Sequence, residues 1–470
     1  MQDSELYLAV DIGASSGRLI LGQRKDDKLT LEEVRRFPNG LHREDGHLCW
    51  DVDALFDEIV TGLKKCAAQG KCPVSIGIDT WAVDYVLLDG AGKRLGPAVG
   101  YRDARTEGMP EKVYARVPEG ELYRRTGIQK QDFNTIFQLE WEKERESARL
   151  ERSSALLLVP DYLNYRLTGR MCAEYTNATT TGLVGAESRD WDWQLIDKLG
   201  YPRKLFQPIR QPGAVLGALT PEIAEEVGFT ADVMLPATHD TGSAVAAVPS
   251  APGEDPLYIS SGTWSLLGTE RPAPDCSPES AGANFTNEGG WGGTFRHLKN
   301  IMGLWMIQSV RRELPGDWSF AQLSALAAGH PEFPALVNVN DNRFLAPESM
   351  TDAIKDYCRA TGQPVPEETW ELLSVLYQSL ASCYADSICE VEALTGKRYS
   401  ALHIMGGGCQ DGYLNALTAK TVGKPVLAGP VEATAVGNLM LQMVGKGVFR
   451  DVPEARRCVA ESFPITRFEP

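Results

Sequence analysis

Two stretches of this chain open on the same pattern. "LYLAVDIGASSGRLILG" (6–22) and "LYISSGTWSLLGTE" (257–270) each run apolar strand, small polar turn, apolar strand. Repeated about 250 residues apart, the pattern predicts two domains of similar topology. Length agrees, since 470 residues exceed what one hydrophobic core usually serves. The Pro- and Gly-rich "PSAPGEDP" (249–256) is the best linker in the chain. The expected domains are therefore 1–248 and 249–470.

The rest of the pattern predicts an α/β fold. Residues 5–37 read as a three-stranded meander, and 51–69 as a helix capped by Asp51 and ended before Gly70. "VSIGID" (74–79) is a short buried strand, and "YVLLDGAGKRL" turns as a hairpin over Asp89-Gly90. Residues 107–230 are helical and loop-rich, an elaboration of the first domain that would wall a substrate site. Within them "PDYLNYRLTG" is a helix opened by Pro160 and closed by Gly169. "VMLPATHDTGSAVAAV" gives strand, polar turn and small-residue helix. Helices follow at 300–312 and 366–395, then a strand into a glycine turn at "ALHIMGGG", then a strand and helix at 425–445.

Composition removes several classes of function. A net charge of −16 argues against a nucleic-acid binder, which needs a basic face. No run of about 18 apolar residues exists, so no membrane span is expected. The start, Met-Gln-Asp-Ser-Glu, lacks the basic and small-residue features of a signal peptide, and cytoplasmic residence is the expectation. Ten cysteines show no C-x-x-C pair and six histidines no H-E-x-x-H, so a protein-ligated transition metal is not expected.

Four turns carry the candidate chemistry. In "DIGASSGR", Asp11 ends an apolar strand, where a carboxylate is out of place unless a positive group faces it. Gly13, Ala14, Ser15, Ser16 and Gly17 are small enough for backbone N–H groups to approach an anion, although a plain hairpin turn explains them equally. "SSGTWS" (260–265) has the same chemistry, and two such turns suggest two halves closing on one polyphosphate. "MGGGCQDGYLNAL" (405–417) allows close backbone approach to a flat ligand, or serves only as a tight strand-to-helix link. In "THDTGSA", Asp240 is either a helix N-cap or a general base for a hydroxyl nucleophile, and the two are compatible. A Walker A motif is absent: "GRLILGQR" puts Gln23-Arg24 where Lys-Ser/Thr is needed.

In order and spacing, these strings resemble the FGGY family of carbohydrate kinases. The resemblance runs through "DIGASSGR", "GLH…WDVD", "SIGIDTWAVDYVLLD", "YRDART", "PDYLNYRLTG", "EYTNATTTGLV", "HDTGSAV", "SSGTWSL", "TNEGG", "LKNIMGLW", "GGGCQDGYLNAL" and "GPVEATAVGN", over nearly all of residues 5–445. "DTWAVDYVLLD", "EYTNATTTGLV" and "LKNIMGLW" bring it nearest to members that phosphorylate L-rhamnulose. It implies two actin-like/RNase H-like ATPase domains with a cleft between them. It also implies transfer of the γ-phosphoryl of ATP to the 1-hydroxyl of L-rhamnulose, with Mg²⁺ bridging phosphate oxygens.

Residue by residue, the resemblance puts Ala14, Ser15, Ser16, Gly17 and Arg18 around the ATP phosphates, with Thr263, Gln308 and Gly407 completing the nucleotide site. Asp11 would hold Mg²⁺ through water. His239, Asp240, Thr241 and Asn300 would contact the sugar, with Asp240 the base. Such relatives commonly read "DTWGVDF", so Ala82 places a methyl in the sugar pocket where a glycine is usual, and Tyr85 replaces Phe. The implied partners are a small sugar and ATP, with no nucleic acid or membrane, for a monomer or homodimer. Rival readings are another ketose (L-fuculose, L-ribulose, D-xylulose) and an actin-like ATPase switch without a sugar; a sugar-sensing regulator would need a DNA-binding segment that the sequence lacks.

Overall fold

The computed structural model describes residues 5–250 and 253–470, so residues 251 and 252 of the expected linker lie outside the described residues. The chain divides into two compact units, and neither is continuous in sequence. The first comprises Met1–Gly253, Glu270–His297 and Thr434–Ser462; the second comprises Glu254–Thr269, Leu298–Ala433 and Phe463–Pro470.

The first unit is built on a six-stranded sheet. Tyr7–Ile12 pairs antiparallel with Ser16–Lys25, which pairs antiparallel with Lys28–Pro38, giving the meander expected from the sequence. On its other side Tyr7–Ile12 runs parallel to Ser75–Thr80, which runs parallel to Asp232–Met234, and Val215–Ala218 closes the edge antiparallel. Both central strands, Tyr7–Ile12 and Ser75–Thr80, are buried along their whole length, as parallel strands covered on both faces must be.

Helix Val52–Ala68 covers the sheet with Leu55, Phe56, Ile59, Leu63 and Cys66, spaced three or four residues apart. Asp51 caps it by accepting from Ala54 N–H, as expected. Gly62 lets this helix sit tightly on the sheet, because a Cβ there would lie 2.3 Å from Leu19 Cδ2.

The sheet of the second unit repeats this topology. Leu257–Ser261 pairs antiparallel with Ser265–Arg271 and parallel with Leu402–Met405. Val426–Ala428 follows in parallel and Thr466–Phe468 closes the edge antiparallel, while Phe295–Ile301 lies beyond Ser265–Arg271. Both sheets join an antiparallel pair to two further parallel strands and end on one antiparallel edge strand. That edge strand precedes its neighbour in sequence in the first sheet (Val215–Ala218 before Asp232–Met234) and follows it in the second, which also has a seventh strand, Thr286–Gly289. The internal echo in the sequence is thus a repeat of fold.

The segment 107–230 carries its own core, in which Ile136, Phe137, Leu139, Leu156, Leu158, Leu195 and Ile196 pack together. Helix Val159–Thr168 starts with Pro160 in its first turn and ends at Gly169 with φ +68°, as the sequence predicted. One expectation is corrected. Residues 300–301 end the strand Phe295–Ile301, and the helix begins only at Trp305, because Gly303 packs against Ser265 N–H too closely for any side chain. The turn over Asp89-Gly90 folds back as expected, with Asp89 N–H on Lys93 O (2.9 Å), Leu95 N–H on Leu87 O (2.8 Å) and Leu88 bridging Arg94, while the longer ladder of Tyr85–Leu88 is with Ala155–Leu158.

Candidate active site

In the first unit the C-terminal ends of the parallel strands collect the charged residues. Asp11 lies one residue from the end of its strand, opposite Arg18 on one neighbour and Asp79 on the other. Arg18 donates to Asp11 Oδ2 from Nε (3.0 Å) and Nη2 (2.8 Å), supplying the positive group that a buried carboxylate needs.

Asp79 is fully buried; its Oδ2 accepts from Asn438 Nδ2 at 2.6 Å, and its Oδ1 has no hydrogen-bond partner. Burial first, then the charge of Asp11, holds Asp79 well above the usual carboxylate range. The sequence reading passed over Asp79, although it carries the same signal as Asp11, a carboxylate ending an apolar strand.

The turn after Asp11 is braced from the third strand. Gly13 N–H donates to Ser16 O (2.9 Å), Asn39 N–H to Ser15 O (3.1 Å) and Asn39 Nδ2 to Gly13 O (2.8 Å). The N–H groups of Ala14 and Ser15 take no part in these bonds, and Ser15 is exposed. Gly17 has a packing reason to be glycine, since a Cβ there would lie 2.2 Å from the Phe37 ring.

Strand Ser75–Thr80 also places Asp240. Thr80 N–H donates to Thr238 O (2.9 Å), and Thr80 bridges His239 in parallel register. His239 is the N-cap position of helix Asp240–Ala246, so Asp240 sits in the first turn and not at the cap. Its Oδ1 accepts from Thr241 N–H (2.6 Å) and Thr241 Oγ1 (3.2 Å) and lies 3.4 Å from His239 Nε2; Oδ2 takes no part in these contacts. The Asp240 side chain is 33% exposed against 8% for His239. Burial by surrounding protein raises the Asp240 pKa and Asp11 adds to the rise, while His239 and Thr241 oppose it.

Two buried carboxylates hold this turn, and no local pattern announced either. Glu174 accepts from Thr238 N–H (3.0 Å), Thr238 Oγ1 (2.8 Å), Thr176 N–H (2.9 Å) and Thr176 Oγ1 (2.6 Å). Glu288 lies 3.2 Å from His239 Nδ1 and 3.1 Å from Arg296 Nη1, charge contacts without hydrogen-bond alignment. The fully buried Arg296 also reaches His239 Nδ1 at 3.1 Å, and its charge holds Glu288 below its ordinary pKa despite burial.

Ala82 lies two residues beyond the end of strand Ser75–Thr80. From Ser75 to Leu88 it is the one residue not fully buried.

In the second unit, Thr263 lies half-buried in the turn between the paired strands. Trp305 N–H donates to Thr263 O at 3.0 Å, which ties that turn to helix Trp305–Glu313 and so to the half-buried Gln308 one turn on. Asn300 is half-buried near the end of its strand. The glycine run divides sharply. Gly406 has φ +83°, with Ser261 O 2.9 Å from where a Cβ would stand, and a Cβ on Gly408 would lie 1.9 Å from Ser261 Oγ. A Cβ on Gly407 would meet nothing within 4 Å, and Gly407 is exposed. The sites expected in the two halves thus fall into separate units: Asp11, Ala14–Arg18, Ala82 and His239–Thr241 in the first, Thr263, Asn300, Gln308 and Gly407 in the second.

Comparison with known proteins fits this geometry. Residues 6–247 match the N-terminal domain, and residues 257–445 the C-terminal domain, of the FGGY family of carbohydrate kinases. The chain is 49% identical over 461 residues to a rhamnulokinase from Halalkalibacterium halodurans, covering 98% of each. It is 44% identical over 466 residues to a rhamnulokinase from Bacillus subtilis, covering 99% of this chain and 95% of that one.

Among solved structures it is similar in fold to gluconate kinase from Lactobacillus acidophilus, with TM-score 0.82 at 15% identity over 100% of this chain and 94% of that one. Ligand-bound xylulose kinase from the same organism gives TM-score 0.79 at 15% identity over 99% and 94%. With the repeated actin-like sheet and the carboxylates gathered at its strand ends, these matches establish that the chain belongs to the FGGY family of carbohydrate kinases.

Proposed function

We propose that this sugar kinase transfers the γ-phosphoryl of ATP to the 1-hydroxyl of L-rhamnulose, giving L-rhamnulose 1-phosphate and ADP in L-rhamnose catabolism. The observation that carries the reaction is Asp240: a carboxylate with one oxygen fixed by Thr241, the other uncommitted, and a third of its side chain open. A sugar hydroxyl is a poor nucleophile, and Oδ2 of Asp240 accepts its proton as the bond to phosphorus forms. His239 and Thr241 orient that carboxylate, and Glu174, Glu288 and Arg296 keep the turn from moving. Substrate choice is supported by the rhamnulokinases among the relatives, with Ala82 and Asn300 in the sugar wall.

Ala14 to Arg18, Thr263, Gln308 and Gly407 form the nucleotide site in this reading. Gly407 supports it best, because local packing demands glycine at 406 and 408 but not between them. Mg²⁺ fits the first unit: Asp79 Oδ1 is buried without a partner beside Asp11, whose Oδ1 is left out of the Arg18 pair. Among the described residues no three His, Cys, Asp or Glu groups form a metal cage, which suits an ion that keeps several waters and leans on phosphate. When bound, the ion would neutralise charge developing on the phosphate oxygens, with Asp11 and Asp79 facing it.

An ADP-release assay across L-rhamnulose, L-fuculose, L-ribulose and D-xylulose tests the substrate. L-Rhamnulose is expected to give the highest kcat/KM; equal or better turnover of L-fuculose refutes the assignment.

A further inference from the structure

Several strings of the sequence that the mechanism does not use meet at one buried carboxylate. Asp84 is 1% exposed. Its Oδ2 accepts from Trp50 Nε1 (2.7 Å), Trp81 Nε1 (3.0 Å) and Tyr101 N–H (3.0 Å), and its Oδ1 accepts from Gln138 Nε2 (3.2 Å). An ionised carboxylate only accepts, so four converging donors suit it and would not suit an amide. The donors come from four separate segments. Trp50 belongs to "GLH…WDVD", Tyr101 to "YRDART", and Gln138 to helix Thr135–Arg145, where the buried Arg105 in turn donates to its Oε1 at 2.5 Å.

The backbone beside Asp84 is strained. Val83 has φ +67°, an outlier for a β-branched residue. Asp84 N–H donates to Ala82 O at 2.9 Å, closing a three-residue γ-turn of the rare positive-φ kind. Such a conformation persists only where its surroundings over-determine it. Here Thr135 Oγ1 holds Val83 O at 2.7 Å, Gln138 Nε2 reaches the same oxygen at 3.4 Å, and Asp84 anchors the next residue. The turn projects Ala82 as the single opening in the otherwise buried run from Ser75 to Leu88. Glycine at 83 would relieve the strain but would also remove a side chain buried in the core, so the turn holds Val83 inward while it leaves Ala82 open.

We propose that Asp84 is a positioning residue for sugar selectivity: it locks the Val83 γ-turn and the Trp50–Trp81 pair, and so fixes the wall at Ala82 against which a ketose is read. The Trp50 and Trp81 rings, 4.2 Å apart between centroids and tilted by 38°, are both fastened through their indole N–H to the one oxygen. This inference rests on the reading above that Ala82 lines the sugar site.

The test compares Asp84→Asn, Trp81→Phe and Ala82→Val by steady-state kinetics, melting temperature, and calorimetric titration with L-rhamnulose without ATP. Asp84→Asn is expected to raise sugar KM and Kd at least tenfold, to leave KM for ATP within twofold, and to narrow the preference for L-rhamnulose over L-fuculose. Trp81→Phe, which removes one donor and keeps a ring, should shift sugar KM about threefold in the same direction. It decides the matter if Asp84→Asn does not fold.

A lowered melting temperature with unchanged sugar KM in both Asp84→Asn and Trp81→Phe overturns the proposal, leaving Asp84 a structural residue. Ala82→Val separates the two readings. If it leaves sugar KM unchanged, Ala82 does not line the site and the underlying reading falls. If it raises sugar KM while the other two do not, only the role of Asp84 is lost.

Discussion

At Asp240 a carboxylate is half fixed and half open, and that asymmetry has measurable consequences. Replacing it with Asn keeps the shape and the hydrogen bond from Thr241 but removes the proton acceptor. Asp240→Asn should lower kcat by roughly 10²–10⁴-fold while leaving sugar Kd within a fewfold. Because burial raises the Asp240 pKa, the wild-type rate should climb with pH through a limb above the usual carboxylate range, as the base loses its proton. That limb should vanish in the variant, and a pH–rate profile checks both.

The glycine run allows a second comparison at this scale. Gly407→Val should raise KM for ATP severalfold with little change in melting temperature, since a side chain there meets only open space. Gly408→Ala should instead destabilise by about 1–3 kcal/mol through its clash with Ser261. Equal stability loss in both would mean that Gly407 is only a turn.

Elements, and not single residues, explain what a reading of the chain reached. Periodicity and caps located the meander, helix Val52–Ala68 and helix Val159–Thr168, because their signals lie within a few residues of each other. Asp11 was legible because its pairing partner, Arg18, sits across a short turn. Asp79 carries the same strand-end signal, but what holds it was not legible, because its partner Asn438 lies 359 residues further on. Glu174, Glu288 and Arg296 carry no periodic pattern, and they become meaningful only when strands and helices deliver them to Thr238 and His239.

The Asp84 cluster makes a prediction of the same order. Burial pushes its carboxyl from the ordinary value of 3.8 up to about 6, against the pull of its donors. The folded state therefore keeps a proton that the unfolded chain has released, so stability falls as pH rises through that window and is level above it. The stability of wild type relative to Asp84→Asn should drop by about 3 kcal/mol between pH 3.5 and 6.5. Denaturant melts of both proteins across that range measure the difference, and a flat difference contradicts it.

Over the whole molecule, the two sheets share one central arrangement, an antiparallel pair continued by two parallel strands, yet the chain passes from one unit to the other five times. The fragment 1–248 therefore lacks parts of the unit that its own sheet belongs to. It is missing Asn438 on Asp79, and Gln442, which bonds Ser75 Oγ at 2.6 Å and Leu8 O at 3.0 Å. Expressed alone, it should show no cooperative thermal transition by circular dichroism. A sharp native-like melt would show that the late helix is dispensable.

Helix Ala433–Gly445 carries both Asn438 and Gln442, and in the cell it is made long after the strands that it completes. At roughly 5–20 residues per second, Asp79 waits about 20–70 s on the ribosome for the amide that caps it. During that interval strand Ser75–Thr80 exists with its acid and its serine still without the partners that the finished fold gives them. The first sheet is thus begun early and finished late, and nascent chains of this kinase should be clients of whatever shields unfinished sheets until helix Ala433–Gly445 emerges.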